Sequence, residues 1–328
     1  MALEELIGAT LAVGFPGAEP SEALMACLRR TRAQSLVVFA RNIASPEQLT
    51  RLLAQVQEAI GRRLIVMVDH EGGRWVRFSS GVTRFPAARA AAAARNPAAI
   101  EQQGALEARE LRALGVQVNL APCVDVVVEG SDPVIGERSY GAEPALVAQL
   151  AAARIRGLQA NGAAACAKHF PGLGAVPRDP HQHLPTIPLD RSAMVPHLAP
   201  FKAAISADVA MVMSSHVCYP GLGDSPGLPA TFSPRLVHDL LRTELGFRGL
   251  ALTDDLEMGA LRTFGSLPEA AVKARRAGHD LLLVCSDLDA AEATAGLLYK
   301  SYSNKELSIS ELEISAKRVA DFRKRFSI

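Results

Sequence analysis

Asp179 and His181 stand two residues apart, and their types and spacing already suggest chemistry. A carboxylate that close holds one ring nitrogen of the imidazole, fixes its tautomer and raises its basicity, which is the orienting half of an acid/base dyad. Other ionisable groups come in short bunches: Asp69-His70-Glu71-Gly72-Gly73-Arg74, Asp125, Lys168-His169, Ser214-Ser215-His216 and Asp254-Asp255. Singly, each has an ordinary structural explanation: an aspartate caps a helix, a lysine or histidine completes an ion pair. Gathered at one place they make a shared polar pocket, because such groups are costly together unless they pair or bind something. His181-x-His183 has the spacing of a metal-ligand pair. Metallohydrolase barrels carry that pair at the first strand with further ligands nearby, so no metal is expected here.

Short apolar runs must position these groups. Eight recur: Thr10–Gly14, Leu36–Phe39, Leu64–Val68, Val116–Ala121, Ala163–Ala167, Ala210–Met213, Leu250–Leu252 and Leu281–Val284. Several are continuously apolar, as strands buried on both faces of a parallel sheet should be. Glu47–Ile60 and Ile100–Leu114 carry apolar residues at helical spacing, and Ala-rich Ala87–Arg95 favours helix by propensity. Gly61, Gly115 and Gly162 stand where helix C-terminal glycines belong. Eight strand–helix alternations predict a single (β/α)8 TIM barrel over residues 1–328, with a C-terminal helix. That helix is expected to open on a Ser310-x-x-Glu313 capping box. The rival, a doubly wound sheet, wants a Gly-rich dinucleotide turn. Gly8, Gly14 and Gly17 lack that spacing and read as turn residues, so no cofactor is expected. In a barrel the polar bunches fall at the C-terminal ends of strands, where barrel chemistry resides. Strand alternation lets at most one of Asp254 and Asp255 face the centre.

The 328 residues carry 35 Lys+Arg against 34 Asp+Glu, a formal charge of +1, and 49% are hydrophobic. The balance argues against a nucleic-acid partner, which needs a basic face, and the apolar fraction excludes disorder. No window is apolar enough for a membrane span, and the N-terminus lacks a signal-peptide pattern. Five cysteines occur singly, without the pairing of a disulfide framework or a zinc site. The expectation is a cytoplasmic protein, monomeric, acting without membrane or nucleic acid.

Taken in order, Asp69-His70-Glu71-Gly72-Gly73-Arg74, Gly136-Glu137-Arg138-Ser139-Tyr140, Lys168-His169-Phe170-Pro171-Gly172, Asp179-x-His181 and Thr253-Asp254-Asp255-Leu256-x-Met258 resemble the glycoside hydrolase family 3 β-N-acetylglucosaminidases of the NagZ type. The likeness runs from Gly14-Phe15-Pro16-Gly17 to about Cys285. The Asp-x-His element marks this branch; family 3 β-glucosidases take a carboxylate from a second domain. The resemblance implies a retaining hydrolase with Asp254 as nucleophile and His181, oriented by Asp179, as general acid and then base. It places Asp69, Arg138, Lys168 and His169 on the sugar hydroxyls, with Arg74 and Asp125 supporting them; His216, at the sixth strand's end, is a substrate-binding candidate by position alone. The implied substrate is a small carbohydrate: N-acetylglucosamine linked to 1,6-anhydro-N-acetylmuramic acid, with or without peptide, in cell-wall recycling. Other family 3 glycosidases, or a non-catalytic muropeptide-binding barrel, are the alternatives. A histidine suits the double role, since its ordinary pKa near 6.5 keeps both forms within reach. It also repels an anionic acceptor less than a carboxylate does, which keeps phosphorolysis as a side reading. Three residues depart from the family pattern: Leu173 and His70 where polar residues other than these are usual, and Pro180 inside the dyad.

Overall fold

A computed structural model describes residues 2–181 and 183–328. Eight strands close a parallel barrel in sequence order: β1 (Leu11–Val13), β2 (Ser35–Val38), β3 (Ile65–Val68), β4 (Val118–Asn119), β5 (Ala164–Phe170), β6 (Met211–Ser214), β7 (Leu250–Asp255) and β8 (Leu281–Val284). Each coincides with one of the apolar runs, and β8 returns to pair with β1. β1 to β6 and β8 are buried at every position, which is why they read as continuous rather than alternating runs. Among the described residues no helix is long and apolar enough to cross a membrane.

The outer layer is set by local signals. Helix Pro46–Ile60 opens on Ser45, whose hydroxyl accepts from Gln48 N–H, and closes on Gly61 at φ 68°. Helices Pro97–Ala113 and Pro144–Ala160 pack together and cover β4 and β5. The C-terminal helix Ile309–Arg325 begins two residues earlier than expected. Ser308, not Ser310, accepts from the N–H three residues on, that of Glu311. The same Ser-x-x-Glu spacing occurs in both frames, and the earlier start turns Leu312, Ala316, Val319 and Phe322 into the core. The three early glycines also divide. Gly17, at φ 78°, is a turn residue. Gly8 and Gly14 are close-approach positions: an added Cβ would sit 2.2 Å from the Arg32 carbonyl oxygen and 1.9 Å from that of Cys285.

Two strands break register where they reach the barrel mouth. In β5, Lys168 pairs with Met213 but Phe170 with Ser214, so an extra residue is accommodated. In β7 the pairing steps from Leu252↔Leu281 to Asp255↔Leu283. A bulge suspends strict alternation and re-aims neighbouring side chains. Lys168 and His169 consequently both meet the mouth's acids, and Asp254 and Asp255 both line the same cavity. The expectation that only one of the two aspartates faces inward therefore fails, because it assumed a regular strand.

Candidate active site

The mouth is floored by a buried ionic layer. After β3, Glu71 receives both prongs of the Arg138 guanidinium, at 2.8 and 2.7 Å, and the Lys168 ammonium at 2.8 Å. Asp69 takes Lys168 at 2.7 Å on one oxygen and Arg77 at 2.9 Å on the other. Asp125, after β4, accepts from the His169 ring at 2.8 Å and from Leu173 N–H at 2.6 Å. His169 therefore keeps its proton on Nδ1, and its Nε2 lies 3.4 Å from Arg138 Nη2. A second layer holds the first: buried Arg154 donates to the carbonyls of His70 and Glu71 and pairs with Glu107. Asn119 clamps His70 through both its backbone N–H and its carbonyl.

Above this floor lies a cavity of about 240 Å³ lined by Asp69, Lys168, Arg138, His169, Asp254 and His181, among others. Among the described residues the Asp254 carboxylate accepts one hydrogen bond, from Asp255 N–H at 2.8 Å. The same carboxylate lines the cavity. His181 reaches the cavity from the loop after β5. Its Nδ1 donates to Asp179 at 2.6 Å and its backbone N–H to the same oxygen at 2.9 Å, so Nε2 is the ring nitrogen that Asp179 does not engage. The loop is tied to the segment just beyond Asp254: Gly259 N–H donates to the His181 carbonyl at 3.1 Å, and Ala260 N–H to that of Pro180 at 3.3 Å. One carboxylate and one oriented imidazole thus meet over a floor rich in hydrogen-bond donors and acceptors. That arrangement suits cleavage of a polyhydroxylated substrate.

The family described as Glycosyl hydrolase family 3 N terminal domain matches residues 2–322. The chain belongs to glycoside hydrolase family 3. It is 39% identical over 264 residues to the "Beta-hexosaminidase" of Nitrosomonas eutropha, covering 78% of this chain and 75% of that one. It superposes on a family 3 β-N-acetylglucosaminidase from Paenibacillus sp. with a TM-score of 0.96 at 35% identity. The match takes in 100% of this chain but spans only 63% of that structure. NagZ from Neisseria gonorrhoeae, solved with N-trifluoroacetyl-D-glucosamine, superposes at 0.80 with 30% identity over 95% of this chain and 97% of that one.

In this family 3 glycosidase the floor's charges are mutually neutralised. Burial alone would push the Glu71 and Asp69 carboxyls up, but the cations beside them hold both below the usual carboxylate range. Asp125 is likewise held down against its burial by the His169 ring. Asp255 goes the other way. Burial, with Glu257 and Asp254 close by, raises it to about 7. Asp179 is drawn down against its partial burial by the hydrogen bonds from His181. Cys123, Asp125 and His169 offer ligand atoms within 4.8 Å of one another. Asp125 already spends its oxygens on the His169 ring, two backbone N–H groups and the Cys123 thiol, so hydrogen bonding accounts for that set.

Two sequence candidates sit away from the cavity. Arg74 is on the rim, with its side chain 69% exposed and paired to Glu137. His216 lies behind the strand, where its Nε2 donates to the Asp255 carbonyl at 2.8 Å. It braces β7 instead of lining the inner pocket. Sequence reasoning gave no role to Glu71, Arg77 or Trp75. Glu71 had a signal, being two residues from Asp69 and so on the same side of an extended chain. Arg77 had none, because the turn at Gly72–Trp75 folds the chain back before it meets Asp69.

Proposed function

We propose that the chain is an exo-acting, retaining β-N-acetylglucosaminidase working through a covalent glycosyl-enzyme on Asp254. The observation that carries this reading is that Asp254 and the Asp179-bound His181 line one small cavity. His181, protonated on Nε2, gives that proton to the departing oxygen as Asp254 bonds to the anomeric carbon. It then takes a proton from the water that releases the sugar. Asp69, Lys168, Arg138 and His169 hold the ring hydroxyls, and the second carboxylate, Asp255, raised to about 7, is only partly ionised near neutrality. Arg77 does the work that the sequence gave to Arg74. The substrate is a peptidoglycan fragment ending in N-acetylglucosamine; relatives named β-hexosaminidase and the sugar analogue bound to NagZ support the terminal amino sugar. We place it in cell-wall recycling, in one monomeric barrel domain. Five buried, unbridged cysteines suit a reducing cytoplasm.

The test is trapping with a 2-acetamido-2-deoxy-5-fluoro glycoside followed by mass mapping of the labelled peptide. The label is expected on Asp254, and Asp254→Asn should lose turnover by roughly 10⁴-fold or more. A label elsewhere, or full activity of Asp254→Asn on an aryl N-acetylglucosaminide, overturns the reading. Sugar 1-phosphate formed in phosphate buffer would redirect it to phosphorolysis.

A further inference from the structure

Beyond the inner cavity lies a larger one of about 550 Å³, and His181, Trp75 and Arg77 line both. A general acid must stand at the glycosidic oxygen, so the residue that protonates it also marks where the sugar ends and the leaving group begins. The inner cavity, with Asp254, is then the sugar's side, and the outer one the leaving group's side. This step rests on the acid/base role proposed for His181.

Trp75 is the wall between the two, and it is the chain's only tryptophan. Its backbone is fixed in a tight turn: Trp75 N–H donates to Gly72 O at 3.0 Å, and Glu71 N–H to Trp75 O at 2.8 Å. Its ring lies 4.8 Å from the Arg138 guanidinium carbon and 5.5 Å from that of Arg74. Arg138 is itself locked on Glu71, so the indole is fastened to the sugar-binding floor and has little freedom to swing away. Facing the outer cavity it is joined by Pro133 and Val134. They are the apolar members of a lining otherwise made of charged and imidazole side chains, and apolar or aromatic surface is what the C–H face of a sugar ring rests on.

We infer that Trp75 selects the leaving group, and that the group it selects is a second sugar ring lying against the indole, Pro133 and Val134. Two substrates separate this from a structural role: a β-linked disaccharide of N-acetylglucosamine, and N-acetylglucosaminyl fluoride, whose leaving group is a single atom. Trp75→Ala is expected to lower the ratio of kcat/KM for the disaccharide to that for the fluoride by tenfold or more, mainly through KM. Trp75→Phe should recover most of the loss. In the Asp254→Asn protein the single tryptophan supplies a direct reading, its emission responding to the disaccharide and far less to N-acetylglucosamine alone. A ratio that moves less than twofold, a parallel fall on both substrates, or equal emission changes with both sugars overturns the inference. If the unaltered enzyme cleaves neither substrate, the N-acetylglucosaminidase reading fails first and takes this one with it.

Discussion

Two walls of one cavity are built by opposite means. The floor is a dry ionic layer in which the Glu71 and Lys168 side chains are 4% and 2% exposed, and every charge has a counter-charge within 3 Å. The other wall, proposed to supply the acid and base, is an outlying loop whose Asp179 and His181 side chains are 34% and 55% exposed. The difference suits the role proposed for each. Groups that grip hydroxyls work best when their orientation is fixed in advance, and a low-dielectric network provides that at the cost of desolvation. A group that gives up one proton and takes another must stay in touch with water, and exposure leaves its protonation free to cycle.

The sharpest way to break this contrast is to remove one partner from each wall. His181→Ala is expected to cost about 10²- to 10⁴-fold in kcat/KM on a disaccharide. Its stability should stay within about 1 kcal/mol of the unaltered protein, because exposed ion pairs contribute little. Asp179→Asn should follow the same pattern at smaller amplitude, since it releases the tautomer without removing the ring. Denaturant melts set beside rate measurements decide it. If either variant is markedly destabilised, the loop is part of the core and the contrast is wrong.

Glu71→Gln tests the other wall. It leaves Lys168 and Arg138 buried with one carboxylate fewer, and breaking a buried pair from one side costs about 3–5 kcal/mol. Urea unfolding should report a loss of that order. A loss under about 1 kcal/mol would mean that water already reaches the floor.

A finer comparison lies within the floor. Arg77→Ala removes a charge-assisted bond to Asp69 and should lower kcat/KM about tenfold, ~1.4 kcal/mol. Arg74→Ala, out on the rim, should change it by less than about twofold. Equal effects would put the rim arginine back on the substrate.

The barrel was legible because burial on both faces leaves a continuous apolar run for each strand, and eight such runs admit few arrangements. That Asp69, Lys168, His169 and Asp254 share one mouth was legible because barrel strands deliver their last residues there, whereas Asp179 and His181 stood out by their two-residue spacing. The bulges in β5 and β7 were not. A register slip is decided by how neighbouring strands pair, and nothing in Lys168-His169 or Asp254-Asp255 announces it. Arg77 was hidden for a related reason: a turn four residues earlier brings it to Asp69, and motif position favours Arg74. Glu71 was visible as a residue but not as the hub, since only the folded chain brings Arg138 to it from 67 positions away.

Asp255 gives the smallest effect and the one that joins the two walls. It is a half-buried acid with no cation paired to it among the described residues, and its carboxyl is raised to about 7 where the floor acids are lowered. Between the ordinary carboxylate value and about pH 7 the folded protein holds a proton that the unfolded chain has lost, so this group's contribution to stability falls as pH rises through that window. Asp69, Glu71 and Asp125 have the opposite sign, their contribution being lost only as pH drops below the usual carboxylate range. Buried His70 and His216, both held low by burial, add stability as pH rises toward neutrality and would mask the Asp255 trend in the unaltered protein. The difference between Asp255→Asn and the unaltered protein removes that background. Asparagine keeps the acceptor for Glu257 N–H without ionising. The variant's advantage in unfolding free energy should therefore grow from pH 5 to about pH 7, at a slope of at most about 1.4 kcal/mol per pH unit, and level off by pH 8. A flat difference across that range would show that Asp255 is ionised throughout and that the nucleophile works beside a second negative charge.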